Sequence, residues 1–495
     1  MNIQNNSAIN IQNNSPIIGN PGPSTMRGIH REKTNSGYTL STHISEIIDE
    51  GMLQCMKNES NRVTLTFRAD FNNENILGSW KYEDNISNGL QGIDIDGENN
   101  PLNFTHFSPS RHSNDNEWSQ WGCGLSAASM NSSSVWEIWS RFKTQEGEFE
   151  YVKITYNWEI MIQDNVFSPT ISVIDEAEFQ IRNSFKQGST FRYTGCSKLL
   201  TNNNIKQIVD TTITMIQNKY YKSIMESPNN VIVKQLNSTG GIVREIKLIP
   251  EIPPTERDDH PHPIFTCEIQ YRKNANEDLK IIYKSPSGKW YEEISENKFV
   301  CIHSNTNEIE ENYPILVDTL YYKGTRTTGT NWKGLPSGST VIERYGRILT
   351  DDIRNGGRFI GFVNKAKNGE NNYHYYHLTY KSKSISRNFS DTVRKTIESN
   401  LSRINTKLNR VLKDCYKRLR KEIKAETMFK KLWREENQDK WFDNLTYEQN
   451  KQKYMKIQNW NDIHNELLET GQPLNEQSLN EQPLNEQPLN EQPLN

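Results

Sequence analysis

The sequence predicts an α+β protein, two mixed α/β regions followed by a long helix, on three observations. Apolar residues alternate with polar ones at Val63, Leu65 and Phe67, and again from Val152 through Ile154 and Tyr156 to Ile162, the period of a half-buried strand. Ile44, Ile47, Ile48 and Met52 recur at helical spacing, and a second such segment is predicted near Ile205 to Ile224. Phe389, Val393, Ile397, Leu401, Ile404, Leu408, Val411, Cys415 and Leu419 sustain that spacing as a heptad-like seam.

Taken in order, residues 1–37 form an Asn-rich tail in which Asn2-Ile3-Gln4-Asn5-Asn6-Ser7 returns as Asn10-Ile11-Gln12-Asn13-Asn14-Ser15. The first globular region, 38–250, holds a helix over Ile44–Met56 and strands at Val63–Phe67 and Trp136–Trp139. It continues with one long strand reaching Ile162 and the helix near Ile205. Ile249 to Pro263, with five prolines, reads as a linker. Phe265, Cys267, Ile269 and Tyr271 alternate and open a second α/β region, 251–385. The helix of 386–435 presents a basic face that includes Arg394, Arg403, Arg410, Lys417 and Arg418, read as solvated. A helical tail, 436–470, precedes 471–495, where Pro-Leu-Asn-Glu-Gln recurs every five residues. That period fits neither helix nor strand, so neither terminal tail contributes to the fold.

With 495 residues the chain can bury two or three cores, and its formal net charge of −3 excludes a global polyelectrolyte grip on nucleic acid. Six cysteines lie far apart without CxxC spacing, which predicts thiols in a reducing compartment. The start is polar and no long apolar run occurs. A soluble intracellular protein of cytoplasm or nucleus, or of the host cell if viral, is expected, with no membrane partner.

Three segments carry chemistry. Glu46 and Glu50 are four apart and share a helix face; a carboxylate there can orient a water, and its neighbour can offer oxygen to Mg²⁺. Taken alone, a solvated acidic face is the plainer reading. Asp84 leaves a strand into a turn ending at Gly89, where a carboxylate can accept from an exocyclic amine. Trp121-Gly122-Cys123-Gly124-Leu125 puts two glycines before a helix start, where free amides favour anionic oxygens. Further on, Gly188-Ser189-Thr190 opens a strand.

In this order the segments resemble the GHKL ATPase superfamily of gyrase-type topoisomerases, the large heat-shock chaperone, MutL, histidine kinases and MORC proteins. The glycine segment is most similar to MORC and chaperone-like members. The resemblance covers about Ile44 to Phe191 and implies a Bergerat-type α/β sandwich that binds ATP, followed by a transducer-like domain. It implies Glu46 as general base, Glu50 at the Mg²⁺ position, and Asp84 with Gly89 at the adenine turn. Gly122, Gly124 and Leu125 match the phosphate side, Thr190 the hydroxyl near adenine, and Lys383, before Lys381 and Lys365, a γ-phosphate lysine. It further implies an ATP-hydrolysing conformational clamp, an ATP-dependent homodimer, and a DNA or protein client on the basic helix.

Three departures stand out: Glu50 where the family has Asn, Ile86 where the adenine turn has its first glycine, and Ser119 for a glycine of the phosphate motif. They motivate the alternative of a nucleotide-gated or nucleotide-free adaptor with a degenerate site. A shifted register, with Glu50 as base and Gln54 as metal ligand, breaks the match of Ile47 and Ile48. Asp258-Asp259-His260-Pro261-His262 reads as a solvated loop rather than a metal cluster. Tyr373 to His377 reads as a strand facing core and solvent in turn.

Overall fold

The computed structural model describes residues 40–86, 129, 132–143, 148–165, 169–196, 204–256, 264–273, most of 279–302, 311–321, 340–348 and 374–380, with positions scattered between 410 and 451. They fall into two compact units, Met1–Ile264 with Tyr313–Asn409, and Phe265–Asn312 with Arg410–Asn495.

In the first unit, helix α1 (Leu40–Lys57) precedes strands β1 (Val63–Asp70), β2 (Asn73–Asp84), β3 (Val135–Lys143) and β4 (Phe149–Asn157). Then follow α2 (Trp158–Asp164), β5 (Thr170–Ile174), α3 (Glu176–Arg182), β6 (Ser189–Thr194), α4 (Ile205–Lys219), α5 (Tyr221–Glu226), β7 (Val231–Leu236) and β8 (Ile242–Lys247). The strands form one eight-stranded sheet in the order β5-β4-β3-β6-β2-β1-β7-β8. Only β1 and β7 run parallel within it. The fold is mixed α+β, as the sequence predicts.

The face of this sheet covered by α1 and α4 carries a row of aromatic rings that follows strand order. Phe67 on β1 stacks on Trp80 of β2, and Trp80 lies 4.3 Å from Tyr193 of β6. Tyr193 stacks on Trp136 of β3, which lies 4.3 Å from Tyr156 of β4. Each pair is directly opposed in the strand register, the arrangement in which cross-strand contact is closest. Short α3 covers the other face over β3 and β4, with Phe179 against Tyr151.

Helix α1 is buried around most of its circumference. Ile44, Ile48, Met52 and Leu53 are buried as expected, and so are His43, Ser45 and Asp49. The single apolar face read from the sequence is therefore too simple, because α4 and α5 cover the side that the sheet does not.

The long strand expected to reach Ile162 ends at Asn157. Its side chain accepts from the Ile160 amide and caps α2, so Trp158 and Met161 turn inward while Ile160 is left 54% exposed. The helix near Ile205 is likewise divided at Tyr220 into α4 and α5.

The remaining strands of this unit are β13 (Glu311–Tyr321), β14 (Thr340–Arg344), β15 (Arg347–Ile348) and β16 (His374–Tyr380), in the order β13-β16-β14-β15. On β16 both His377 and Leu378 are buried, so both faces of the strand are covered at that point; the side chains of Tyr373 to Tyr376, on which the expected alternation rests, lie outside the described residues.

The second unit contains β9 (Ile264–Lys273), β10 (Leu279–Lys284), β11 (Trp290–Ser295) and β12 (Lys298–Ile302), ordered β12-β11-β10-β9. Helical residues between 410 and 429 bury Val411, Cys415, Leu419 and Phe429. Two of the basic residues read as solvated are packed instead. Arg418 lies 3.7 Å above the Tyr291 ring and pairs with Asp414, and Arg410 pairs with Glu293 at 2.6 Å. The segment before residue 410, expected from sequence to be helical, and both tails lie outside the described residues. No described helix is long and apolar enough to cross a membrane, and no disulfide joins the described cysteines.

Candidate functional site

The most constrained carboxylate of the first sheet is Asp84, the last residue of β2. It is buried, and its oxygens accept from Tyr82 Oη at 2.8 Å, the Ile86 amide at 3.0 Å and the Ser189 amide at 3.1 Å. Asn85 braces the same corner, accepting from the Arg62 amide and donating to Ser60 O. Gly188 makes the close approach possible. Its φ is +84°, and a Cβ there would lie 2.2 Å from Asp84 O and 2.5 Å from Asp84 Oδ1.

Helix α1 is locked onto this corner through Tyr82. A Cβ at Gly51 would lie 2.0 Å from Tyr82 Oη, so only glycine lets the helix backbone meet the hydroxyl that holds Asp84. Burial, then the Asp84 charge, pushes the Cys55 thiol of the same helix up to about 12. Glu46, five residues before Gly51 and thus about 7.5 Å along the axis, is half-buried.

Strand register decides which hydroxyl accompanies Asp84. Thr190 is paired with Glu83 on β2 and with Trp139 on β3, so it projects with them to the face opposite Asp84. Ser189 takes Asp84's face, and its hydroxyl meets that of Ser140 at 2.9 Å. Buried Thr190 Oγ1 has no hydrogen-bond partner among the described residues.

A second polar cluster lies behind α1. Asp49 accepts from Tyr220 Oη and, at 2.8 Å, from Arg347 Nη2 of β15. Tyr220 Oη also donates to Ser45 O, and Lys219 Nζ to Ser45 Oγ. Nearby, fully buried Glu343 of β14 accepts from Tyr221 Oη, Lys222 Nζ and His377 Nε2 at 2.7, 2.7 and 2.8 Å. Burial alone would raise the Glu343 carboxyl; the hydrogen bond and charge of His377, with Lys222, instead hold it at about 2. Glu256, Glu343 and His377 bring ligand-type atoms within 4.8 Å of one another. The Lys222 ammonium at Glu343 opposes a metal there, since it places a second cation at the same oxygens.

The chain is similar to the crystal structure of the 43K ATPase domain of Thermus thermophilus gyrase B, at 11% identity and a TM-score of 0.34, over 83% of this chain and 97% of that one. It is also similar to the ATPase region of Saccharomyces cerevisiae topoisomerase II, at 12% identity and a TM-score of 0.32, over 78% and 86%. The same region bound to ICRF-187 (dexrazoxane) gives 12% identity and a TM-score of 0.33, over 79% and 85%. No family model and no curated protein matches the sequence.

Of the residues singled out from sequence, Glu46 and Asp84 belong to elements brought together at Gly51 and Tyr82. Glu50 lies on α1, but its side chain is outside the described residues, as are Gly89, Gly122, Gly124, Leu125 and Lys383. Sequence reading did not single out Ser189 and Ser140, which share Asp84's face only through strand register, a property no local pattern encodes. It also missed Arg347, whose partner Asp49 lies at the far end of the unit's sequence, and Glu343 with Lys222, which are 121 positions apart.

Proposed function

We propose that this chain binds ATP as a GHKL-type domain and hydrolyses it to reset a conformational clamp. The observation that carries the reading is the Asp84 corner. It is a buried carboxylate fixed by three donors at a strand end, with two hydroxyls on the same face and the acidic helix locked onto it. A rigid acceptor beside a hydroxyl pair suits the amine and ring nitrogen of a purine, and holding it in advance lowers the cost of binding.

In this reading Asp84 accepts from the exocyclic amine, with Ser189 and Ser140 beside it in the role matched from sequence to Thr190. Gly89 closes the turn, and Gly122, Gly124 and Leu125 present amides to the phosphates. Glu46 orients the attacking water, and Lys383 meets the γ-phosphate. Glu50 offers a carboxylate oxygen to Mg²⁺, a ligand type that suits this cation. When bound, Mg²⁺ neutralises phosphate charge. Phosphoryl transfer depends on positioning and charge stabilisation, which is what a braced corner and a clamped helix supply. Dimerisation on ATP, and a DNA or protein client, belong to the same reading.

Calorimetric titration with a non-hydrolysable ATP analogue and Mg²⁺, followed by phosphate release with ATP, tests it. Asp84→Asn presents an amide donor to the base amine and is expected to weaken binding by roughly tenfold or more. Glu46→Ala is expected to bind normally and lose turnover. Wild-type affinity in Asp84→Asn, with the fold intact by melting, refutes the assignment.

A further inference from the structure

Within the first unit the tip of the β14–β15 hairpin packs against α1 and α5, where two of its charged side chains are held. Its loop is the two residues Tyr345 and Gly346, with φ of +46° and +80°, and Arg344 and Arg347 pair across it. Positive φ at both central positions is the two-residue turn that follows the twist of its strands. The tip fits closely: a Cβ at Gly346 would lie 2.8 Å from Met56 Sδ of α1 and 3.2 Å from Lys222 Cδ of α5. Tyr345 packs against the main hydrophobic core.

On one side of this tip, Glu343 is fully buried and held by Tyr221, Lys222 and His377. On the other, Arg347 is 2% exposed and reaches Asp49 Oδ2 at 2.8 Å, while Tyr220 Oη holds Asp49 Oδ1. The Arg347 guanidinium also lies 5.8 Å from the centre of the Tyr220 ring. The two oxygens of Asp49 are thus held from different elements, which fixes the rotation of α1 about its own axis at this turn. Glu46 precedes Asp49 by three residues and so sits one turn away on an adjoining face.

We propose that Arg347 is a positioning residue: through Asp49 it sets the azimuth of the α1 turn that carries Glu46. This rests on the ATP reading above and adds a residue that governs its turnover. Loss of the Arg347–Asp49 pair frees this turn to rotate and moves Glu46 away from its water. Small displacements suffice, since misplacing a catalytic group by about 1 Å costs up to roughly 100-fold in rate.

The test compares wild type, Arg347→Lys and the double variant Asp49→Asn/Arg347→Met. The double variant removes both buried charges together and avoids stranding one of them. Binding of a non-hydrolysable ATP analogue, kcat and KM for ATP, and amide exchange of residues 45–50 without nucleotide are measured on full-length protein. The expected result is roughly 10- to 100-fold loss of kcat in the double variant and a smaller loss in Arg347→Lys. KM and analogue affinity stay within about threefold, and α1 amides exchange faster in both variants. Wild-type kcat in a folded double variant, or unchanged exchange of residues 45–50, overturns the proposal while leaving ATP binding intact. Failure of wild type to bind the analogue overturns the ATP reading, and with it the catalytic part, whereas the exchange result still reports whether the hairpin holds α1.

Discussion

Replacing Gly188 by alanine tests the Asp84 corner most directly, because the structure contains its own control. Gly188 and Gly240 both have positive φ, +84° and +96°. At Gly240 an added Cβ meets nothing within 4 Å, so Gly240→Ala carries only the backbone cost of a left-handed residue, about 1–2 kcal/mol. At Gly188 the same methyl would lie 2.2 Å from Asp84 O and 2.7 Å from Asp84 C, backbone atoms that cannot swing aside. Asp84 must move, which adds overpacking of about 1–3 kcal/mol and loss of the hydrogen bond from the Ser189 amide to Asp84 Oδ1, about 1 kcal/mol. Gly188→Ala should therefore destabilise by about 3–6 kcal/mol, leaving a gap of at least about 2 kcal/mol over its control. Urea denaturation of both variants reads this from the midpoints, provided the slopes agree. If the two lose the same stability to within about 0.5 kcal/mol, the close packing of Gly188 on Asp84 is refuted.

Thr190→Val replaces a buried, unpartnered hydroxyl by a methyl of the same shape. It should be neutral or stabilise by about 1 kcal/mol in urea denaturation and leave nucleotide affinity unchanged, and a loss of affinity would assign Thr190 rather than Ser189 to the nucleotide. Glu343 predicts an acid limb in stability. Its folded value of about 2 lies below the ordinary 4.5, so its contribution is fully present above about pH 4.5 and is lost as pH falls through about 2. The shift corresponds to about 3 kcal/mol. Urea midpoints between about pH 5 and pH 2 should fall less steeply in Glu343→Gln than in wild type, and equal slopes would argue against the buried network.

Much of the site-bearing fold was readable because its periodicity is local. Ile44 to Met52 and Val63 to Phe67 declare α1 and β1 through side chains that all answer to one sheet. The misread strand at Val152–Ile162 shows where such reasoning stops. Trp158, Ile160 and Ile162 continue a period of two, but the Asn157 side chain captures the Ile160 amide and starts a helix. Tyr220 divides a helix that propensity would continue; its hydroxyl is bound to Ser45 O and Asp49 on α1. Asp84 was legible as a carboxylate ending a strand, whereas its companion hydroxyl depended on β2–β6 register, which no local pattern encodes. The Arg410 and Arg418 contacts show that an apparently basic helix face is divided by what the neighbouring sheet offers, here Glu293, Tyr283 and Tyr291.

The aromatic row from Phe67 to Tyr156 also makes this sheet a spectroscopic instrument. Trp80 and Trp136 flank Tyr193 at 4.3 and 5.6 Å, close enough for their ultraviolet transitions to couple. Near-ultraviolet circular dichroism then reports the stacking order of β1, β2, β6, β3 and β4, and fades when that order loosens even while the strands persist. Because Trp80 and Tyr82 lie on β2 just before Asp84, a ligand that tugs on this strand end writes its arrival into the same spectrum.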